Sequence, residues 1–266
     1  MSTQAARFVG SIPENYDEGL GPHIFNDYAD DLARRVAALR PRTVLELAAG
    51  TGIVTRKLRD VLASDCDLLS SDLNLPMLDV AKAKFQADEA VSFEQIDAMD
   101  LRYEEASFDV VTCQFGVMFF PDKSRSYSEV YRVLKPGGSY VFNVWDSWDL
   151  NPFAEITHRA VEGFFPENPP GFYKVPFHYH DASEIRDSVI RAGFNKVTVE
   201  HLPLKSKIPS AGRFAKGLVF GNPLFEEIVT RGGDPEQVCA VVAVAIEQQL
   251  GFEMTLQALI VHASKN

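Results

Sequence analysis

Short apolar runs alternate with amphipathic stretches between residues 24 and 145. In the amphipathic stretches, apolar residues recur at three- and four-residue steps, a spacing that predicts helices with one buried face. These stretches cover 24–39, 53–62, 76–86 and 122–134. Three of the compact runs, TVLEL, FDVVTC and SYVFNVW, are apolar almost throughout, as expected of strands covered on both faces of a parallel sheet. The compact runs together cover 43–47, 67–71, 91–96, 108–113 and 139–145.

The alternation predicts an α/β fold with a doubly wound, mostly parallel sheet. After Trp145 the pattern changes, because 147–180 is rich in proline and aromatic residues and predicts an irregular lid. A helix at 181–192 follows, and two or three more are predicted within 210–250, the last beginning after Asp234.

Two later strands, at 192–208 and 252–264, are expected to complete a seven-stranded sheet. We therefore expect one domain over 1–266. It would comprise a cap helix within 1–40, a ligand-binding core at 41–146, the two closing strands, and a lid formed by 147–180 and 210–250.

The chain carries 37 acidic and 26 basic residues, a formal net charge of −11 at pH 7. Such a charge repels phosphate backbones and anionic membranes, so neither nucleic acid nor a membrane is an expected partner. The amino terminus has no basic head followed by an apolar stretch, and no run of about 18 apolar residues occurs. Three widely spaced cysteines, Cys66, Cys113 and Cys239, form no CxxC pair. These features predict a cytoplasmic protein.

A glycine-rich turn joins the first predicted strand to the next helix, in the sequence VLELAAGTGIVTRKL at 44–58. Gly50 and Gly52 leave backbone amides at a surface without Cβ atoms, which suits a polar or anionic ligand, although glycines also serve tight turns. Thr55 stands where a dinucleotide-binding loop normally has its third glycine, which disfavours a pyrophosphate. Glu46, inside the strand, either orders the turn or binds a cationic ligand.

Acidic residues follow the second and third predicted strands. Asp72 can accept both hydrogens of a ribose diol, or it can cap the next helix. Asn74 is the better candidate for that cap, which would leave Asp72 free. Asp97 offers an acceptor for an adenine amine beside apolar surface. The residues expected to supply that surface are Leu73, Ala98 and Met99.

These elements stand in one order over residues 40–146, followed by FDVVTC and an LKPGG turn before the fifth strand. In that order they resemble the class I S-adenosylmethionine-dependent methyltransferases, in particular the small-molecule branch of ubiquinone and menaquinone C-methyltransferase-like proteins. The resemblance implies a Rossmann-like fold, S-adenosylmethionine as cofactor, and transfer of its methyl group to a small-molecule acceptor by direct displacement.

The resemblance also implies roles for matching positions. The glycine-rich turn would hold the methionine part of the cofactor, Asp72 the ribose hydroxyls, and Asp97 with Ala98 and Met99 the adenine. Ala48 departs from the pattern, since many relatives have glycine there. Alanine is compatible with close approach of a ligand if its φ is negative.

Two further positions border the predicted site. Tyr16 lies in an amino-terminal segment that relatives use to cover the cofactor, and it either contacts the methionine carboxylate or packs under the helix. Gln114, after the fourth strand, is expected near the reacting methyl group with Phe115 and Gly116, or it caps backbone groups in its loop.

No catalytic side chain is strictly required, because the sulfonium carries its own leaving group. His178 and His180 in the lid are weak candidates for a general base, and Tyr173 is a weak candidate for a catalytic role. Both histidines should share one face beside Asp181, but the ligand set is incomplete and no metal site is predicted. NPPGFY at 168–173 resembles a loop that holds planar amines in some methyltransferases, but that loop follows the fourth strand.

Aromatic residues are dense in the lid and line either a pocket for a flat or apolar acceptor or a small core of the lid itself. They are Trp145, Trp148, Phe153, Phe164, Phe165, Phe172, Tyr173, Phe177 and Tyr179. Two other functions stay open, an NAD(P)-dependent oxidoreductase and a protein that binds S-adenosylmethionine without transferring a methyl group. The acceptor and the methylated atom are not determined by the sequence, nor is the oligomeric state, for which a homodimer is one option.

Overall fold

Seven strands form one sheet in the computed structural model, which describes residues 3–266. They are β1 (Thr43–Glu46), β2 (Asp67–Asp72), β3 (Val91–Gln95), β4 (Phe108–Gln114), β5 (Leu134–Trp145), β6 (Lys196–Lys207) and β7 (Glu253–Ser264). Their spatial order is β3-β2-β1-β4-β5-β7-β6. Strands β1 to β5 run parallel, and β7 runs antiparallel to both β5 and β6. The predicted seven-stranded, mostly parallel sheet is confirmed.

Ten α-helices accompany these strands in the described range. They are α1 (Ile12–Gly19), α2 (Asn26–Ala38), α3 (Ile53–Val61), α4 (Leu75–Lys82), α5 (Lys123–Val133), α6 (Pro152–Glu162), α7 (Ala182–Arg191), α8 (Ala211–Phe220), α9 (Leu224–Thr230) and α10 (Pro235–Gln249). Three of them fall within 210–250, as predicted. The last begins at Pro235, and the Asp234 side chain caps it by accepting from the amide of Glu236.

Two helices lie where the sequence analysis predicts none, α1 near the amino terminus and α6 in the lid. Both carry proline in the first turn, Pro13 in α1 and Pro152 in α6. Proline is accommodated there because the first amides of a helix have no carbonyl partner within the helix. The prediction of an irregular lid throughout 147–180 is therefore wrong over α6, since its proline begins a helix.

Apolar side chains cover the sheet on both faces. Leu32 of α2 and Leu58 of α3 are fully buried in the cluster that contains Val44 of β1. Neighbouring Leu45 belongs to the cluster on the other side, with Val130 of α5. Successive residues of one strand thus point to opposite covered faces, which explains why these strands read as continuous apolar runs.

The strand order reverses beside β1. From β1 the chain adds β2 and β3 on one side, and it then crosses to place β4 on the other side. Loops after β1 and β4 therefore leave the sheet in opposite directions, and a crevice opens between them at the carboxyl ends of the strands. This crevice is where a ligand of such a sheet is expected.

The amino-terminal segment is held over this edge by a close contact between helices. A Cβ atom on Gly19 of α1 would lie 2.6 Å from the Cα of Gly217 of α8, and a Cβ on Gly217 would lie 2.6 Å from the carbonyl carbon of Gly19. The two backbones touch because neither residue has a side chain.

Across residues 3–266, no helix combines the length and the apolar composition that crossing a bilayer requires.

Arg59 holds the end of α3 against the segments that lead into β2 and β3. Its guanidinium donates to the carbonyl oxygens of Cys66 at 2.9 Å, Ala90 at 3.0 Å and Leu62 at 3.2 Å, and also to that of Ala63. The residue is only 8% exposed. One buried cation thus satisfies four carbonyl groups, two just after the end of α3 and two in the segments that lead into β2 and β3.

We expect Arg59→Met to lower the free energy of unfolding by about 2–4 kcal/mol, because these carbonyls lose a charged donor inside the protein. Urea unfolding followed by circular dichroism measures the change. Arg34→Met is the matched control, since the Arg34 side chain is 67% exposed. Its effect should stay below about 0.5 kcal/mol. Equal losses in the two variants would contradict the role given to Arg59.

Candidate active site

A cavity of about 650 Å³ opens at the carboxyl-terminal edge of the sheet. The residues that end or follow β1 to β5 line one side of it, and the amino-terminal segment and the lid line the rest. Its volume lies in the range of small-molecule sites. Nine of the eleven residues predicted to bind a cofactor line it, namely Tyr16, Ala48, Gly50, Asp72, Leu73, Asp97, Ala98, Met99 and Gln114.

Asp72 joins the end of β2 to the glycine-rich turn. Its Oδ2 accepts a hydrogen bond from the amide of Gly50 at 2.9 Å, and its Oδ1 accepts from the backbone amide of Asn74 at 2.8 Å. Asn74 also donates from its side chain to Oδ1, at 3.2 Å, and makes no side-chain cap on α4. The prediction that Asn74 leaves Asp72 free is therefore wrong. The carboxylate nevertheless lines the cavity, where a ligand reaches it.

The glycine-rich turn is bent by residues in the left-handed conformation. Gly52 has φ 78°, and a Cβ there would come within 2.8 Å of the Cβ of Ala81. Gly52 therefore serves packing against α4 and does not line the cavity. Ala48 has φ 51°, so the condition of a negative φ, under which alanine was compatible with close approach of a ligand, is not met. Its methyl group fits because the residue facing it is Gly116, where a Cβ would lie 2.5 Å from that of Ala48.

Glu46 lies beneath the turn, buried and outside the cavity wall. Its Oε2 accepts a hydrogen bond from the hydroxyl of Thr55 at 2.6 Å, and the Thr55 hydroxyl lies 3.0 Å from that of Ser70. Burial raises the pKa of Glu46 to about 7, and the nearby charge of Asp72 adds to the rise. Of the two predicted roles, this geometry favours ordering of the turn over contact with a cationic ligand.

The loop after β3 carries Asp97, Ala98 and Met99. The Oδ1 atom of Asp97 accepts a hydrogen bond from the amide of Met99 at 2.9 Å, which folds the loop back on itself. Leu73 lines the same cavity and is 52% exposed, so it stands at the mouth. Asp97, Ala98, Met99 and Leu73 thus present one carboxylate beside apolar surface in the cavity, and their contact with an adenine stays a prediction.

Asn143, a buried amide on β5, holds the loop after β4. Its Oδ1 accepts a hydrogen bond from the amide of Phe115 at 2.9 Å, and its Nδ2 donates to Oε1 of Gln114 at 3.3 Å. Gln114 in turn donates to the carbonyl oxygen of Phe25 at 3.2 Å. Phe115 has φ 49° and stacks on Trp145 with ring centroids 3.8 Å apart. A left-handed residue with a side chain costs about 1–2 kcal/mol, so these contacts hold the loop against its preference.

Tyr16 of α1 covers part of the cavity. Its ring stacks on that of Phe25 with centroids 4.8 Å apart and meets the ring of Phe8 edge-on. Burial raises the pKa of the Tyr16 phenol, and the charges of Asp72 and Asp17 add to the rise. The phenol therefore keeps its proton and remains a hydrogen-bond donor. Both predicted roles, packing and contact with a ligand, are compatible with this placement.

Only some of the aromatic residues of the lid line the cavity. Five line the cavity, namely Trp145, Phe153, Phe172, Tyr173 and Phe177, and the other four do not. The Tyr173 hydroxyl donates to the carbonyl oxygen of Leu218 on α8 at 2.9 Å, and burial raises its pKa. This phenol therefore ties the lid together and does not offer a base. NPPGFY, at 168–173, lies between α6 and α7 in the chain and so does not follow β4.

The two histidines of the lid lie on one face, as their alternation predicts, but that face is exposed. Phe177 and Tyr179, which alternate with them, are the buried pair. Neither His178 nor His180 lines the cavity. Asp181 caps the first turn of α7. The geometry therefore does not support either histidine as a general base for a ligand in this cavity.

Two residues of the site escaped the sequence analysis. Asn143 is the one polar residue in the second half of the apolar run SYVFNVW, and that contrast was a usable signal. Lys123 begins α5 directly after two exposed residues, Pro121 and Asp122, and has the sequence context of an ordinary surface lysine. Its side chain nevertheless lines the cavity. No feature of the local sequence distinguishes it.

The model of the ubiE/COQ5 methyltransferase family matches residues 7–155, more than half of the chain. The chain belongs to this family. The matched range contains α1, the five parallel strands and the start of α6, and so most of the elements that line the cavity. The resemblance inferred from the sequence is thereby confirmed.

Curated relatives carry names of the same family. The demethylmenaquinone methyltransferase of Deinococcus radiodurans is 41% identical over 110 residues, which cover 41% of this chain and 45% of the relative. That of Clavibacter sepedonicus is 37% identical over 159 residues, 60% of this chain and 62% of the relative. The ubiquinone/menaquinone biosynthesis C-methyltransferase of Proteus mirabilis is 31% identical over 166 residues, 58% and 64%. The chain thus spans about half to two thirds of the length of these relatives.

Solved structures share the fold at low sequence identity. The YcgJ protein of Bacillus subtilis aligns over 90% of this chain and 99% of its own, with a TM-score of 0.60 and 19% identity. The phosphoethanolamine N-methyltransferase 2 of Haemonchus contortus, solved with S-adenosyl-L-methionine, aligns over 95% of this chain and 56% of its own. Its TM-score is 0.62 at 16% identity. The ubiE/COQ5 family member described here thus has a Rossmann-like methyltransferase fold.

From the raised pKa of Glu46 we predict how the free energy of unfolding depends on pH. A carboxyl group whose pKa rises from about 4.5 to about 7 on folding favours the folded state in its neutral form. This contribution is fully present below about pH 4.5 and is lost as the pH rises through about 7. Glu46→Gln removes the titration and keeps an acceptor for Thr55. As the pH rises between these values, the free energy of unfolding of the variant should increase by roughly 3 kcal/mol relative to that of wild type.

Urea unfolding of both proteins at about pH 4.5 and about pH 8 measures this difference. Glu247→Gln, at an exposed position of α10, is the control and should change the free energy of unfolding by less than about 0.5 kcal/mol. A difference between Glu46→Gln and wild type that stays constant with pH would refute the titration of Glu46 in this range.

Proposed function

We propose that this chain is an S-adenosylmethionine-dependent methyltransferase that acts on a small-molecule acceptor. The observation that carries the proposal is a single cavity with two chemically different ends. One end has a glycine-rich turn and two carboxylates, Asp72 and Asp97, and the other is walled by aromatic side chains. Membership of the ubiE/COQ5 methyltransferase family supports the same activity.

The residues at the acidic end fit the cofactor. S-adenosylmethionine presents a positive sulfonium, a ribose diol and an adenine amine, and carboxylates suit all three. We assign the ribose hydroxyls to Asp72 and the adenine to Asp97 with Ala98, Met99 and Leu73. The turn at Ala48 and Gly50 would hold the methionine part. In this proposal Glu46 and Gly52 support the turn from below, without contact to the cofactor.

At the other end of the cavity the walls suit a planar, apolar acceptor. Trp145, Phe172 and Phe177 line this part, and Phe119 faces Phe172 with ring centroids 6.2 Å apart. Flat rings bind between aromatic side chains through buried apolar area and ring contacts. The names of the curated relatives suggest an acceptor of the demethylmenaquinone kind. We therefore propose the reduced, dihydroxylated form of a quinone-type ring as the acceptor, because the acceptor must supply the electron pair that forms the new bond to the methyl group.

The chain's own residues act in this mechanism by positioning and by excluding water. When bound, S-adenosylmethionine supplies a methyl group already attached to its leaving group. The stacked rings of Phe115 and Trp145 and the anchored amide of Gln114 give the reacting end a fixed wall. No histidine lines the cavity in the described part of the chain. Alignment of the acceptor in a dry cavity is thus the main catalytic effect.

Two alternatives differ from this proposal in what they bind or do. A dinucleotide would bring its pyrophosphate to the glycine-rich turn, where the Asp72 carboxylate already accepts from the amide of Gly50. The negative charges of the pyrophosphate and of the Asp72 carboxylate would repel each other there, which disfavours an NAD(P)-dependent oxidoreductase. A protein that binds S-adenosylmethionine without transferring a methyl group has the same cavity, so only a turnover experiment separates it from the enzyme.

Further features of the proposal come from the whole chain. We propose one domain over 1–266, made of a cap at 1–40, a core at 41–146, a lid at 147–180 and 210–250, and two closing strands. The net charge of −11 supports a protein with neither nucleic acid nor a membrane as partner, and three widely spaced cysteines without a CxxC pair support a cytoplasmic location. A homodimer is the oligomeric state to be tested by light scattering.

Titration calorimetry with S-adenosylhomocysteine tests the cofactor assignment. Wild type should bind, and Asp72→Asn should bind at least about tenfold more weakly, because it loses the charge at the proposed ribose contact and disturbs the turn at Gly50. Asp100→Asn changes an exposed carboxylate of the neighbouring loop that does not line the cavity, and it should bind like wild type. Absence of binding by wild type would rule out the proposed function.

Turnover is tested by mass spectrometry of S-adenosylhomocysteine formed from S-adenosylmethionine with 1,4-dihydroxynaphthalene as acceptor. The proposed enzyme should form product in the presence of this acceptor and less in its absence. Binding of the cofactor without turnover across this and related hydroxylated rings would favour the non-catalytic alternative.

A further inference from the structure

Lys123 places an ammonium group at the aromatic end of the cavity. It is the first residue of α5, and its side chain lines the cavity. The Nζ atom donates to the carbonyl oxygen of Phe120 at 3.1 Å and lies 4.9 Å from the centre of the Tyr179 ring. One carbonyl and one aromatic face thus hold the cation.

No carboxylate pairs with Lys123 among the described residues. Within residues 3–266, the lysines that form ion pairs are Lys57, Lys82, Lys84, Lys135 and Lys205. Burial lowers the pKa of Lys123, and the more distant charge of Glu184 opposes this effect. The ammonium is therefore partly removed from water without a full counter-charge in the protein.

The other charges that line the cavity belong to its cofactor end. Asp72 and Asp97 border the glycine-rich turn and the loop after β3. Arg7 is exposed, and the backbones of its neighbours Ala6 and Phe8 are hydrogen-bonded to the side chain of Asn74. Lys123 is thus the one charged side chain among the described residues that line the aromatic end.

We infer that Lys123 binds an acidic oxygen of the methyl acceptor, a phenolate, an enolate or a carboxylate. The inference rests on the methyltransferase function proposed above and narrows its substrate class. An ammonium has three donors, and Phe120 takes one, so donors remain for a ligand. A charge-assisted hydrogen bond in a site with little water is strong and directional, so it would also orient the ring.

The same contact has a consequence for the reaction. A positive charge beside an acceptor hydroxyl favours its ionised form, and the proton passes to bulk water as the acceptor enters the cavity. The resulting anionic oxygen makes its ring more nucleophilic without a general base. Lys123 is in this way a positioning residue that compensates for the lack of a histidine in the described cavity wall.

A pair of ring probes of similar size and different charge tests the inference. Naphthalene-1-carboxylate is anionic at neutral pH, and naphthalene-1-carboxamide is neutral. Their affinities are measured by quenching of tryptophan fluorescence, since Trp145 lines the cavity, with and without S-adenosylhomocysteine. Wild type should bind the carboxylate about tenfold more tightly than the amide, or better.

Lys123→Met should abolish this preference, whereas Lys123→Arg should retain most of it, because the charge is kept. Lys196→Met is the matched control, since it removes the same charge from an exposed position outside the cavity, and it should keep the wild-type preference. Lys123→Gln provides a second neutral variant in case the methionine variant fails to fold, as checked by circular dichroism.

Three results would overturn the inference: no preference for the carboxylate in wild type, the same preference in a folded neutral variant, or binding of neither probe. Calorimetry with S-adenosylhomocysteine is run on every variant. If wild type does not bind S-adenosylhomocysteine, the proposed function is refuted. The ratio of the two probe affinities still tests the role of Lys123 in that case. The two failures are therefore distinguishable.

Discussion

The reversal of strand order beside β1 is the constraint on which the site depends. Because β2 and β4 lie on opposite sides of β1, the loops after β1 and β4 diverge and leave a crevice. Their bases still touch, since Ala48 of one turn packs where Gly116 of the other lacks a side chain. The carboxyl ends of five parallel strands meet at this edge, so residues far apart in the chain come to line one cavity.

Rigidity at this edge comes from hydrogen bonds that hold unfavourable backbone. Ala48 and Phe115 both have a positive φ, and both line the cavity. Phe115 is kept in place by the amide of Asn143 and by stacking on Trp145. Asp72 does the same for the glycine-rich turn through the amide of Gly50. Strain concentrated at a ligand-binding wall is a common sign of a pre-organised site.

The rest of the cavity is contributed by segments outside the parallel core. The amino-terminal helix α1 rests on α8 through the contact of Gly19 with Gly217 and brings Tyr16 over the cavity. Tyr173 joins the two parts of the lid, because its hydroxyl donates to the carbonyl oxygen of Leu218 on α8. Cap and lid therefore form one connected cover, which gives the site an apolar end that the parallel core alone lacks.

The sequence by itself determined the sheet, its parallel core and the positions of the glycine-rich turn, Asp72 and Asp97. Burial on both faces makes β1, β4 and β5 apolar almost throughout, and parallel strands bring the residues after them to one edge. Only the tertiary structure decided where side chains point. It turned His178 and His180 outward, set Glu46 beneath the turn, bound Asn74 to Asp72 and brought Lys123 into the cavity. These directions depend on packing between segments distant in sequence, which local pattern does not encode.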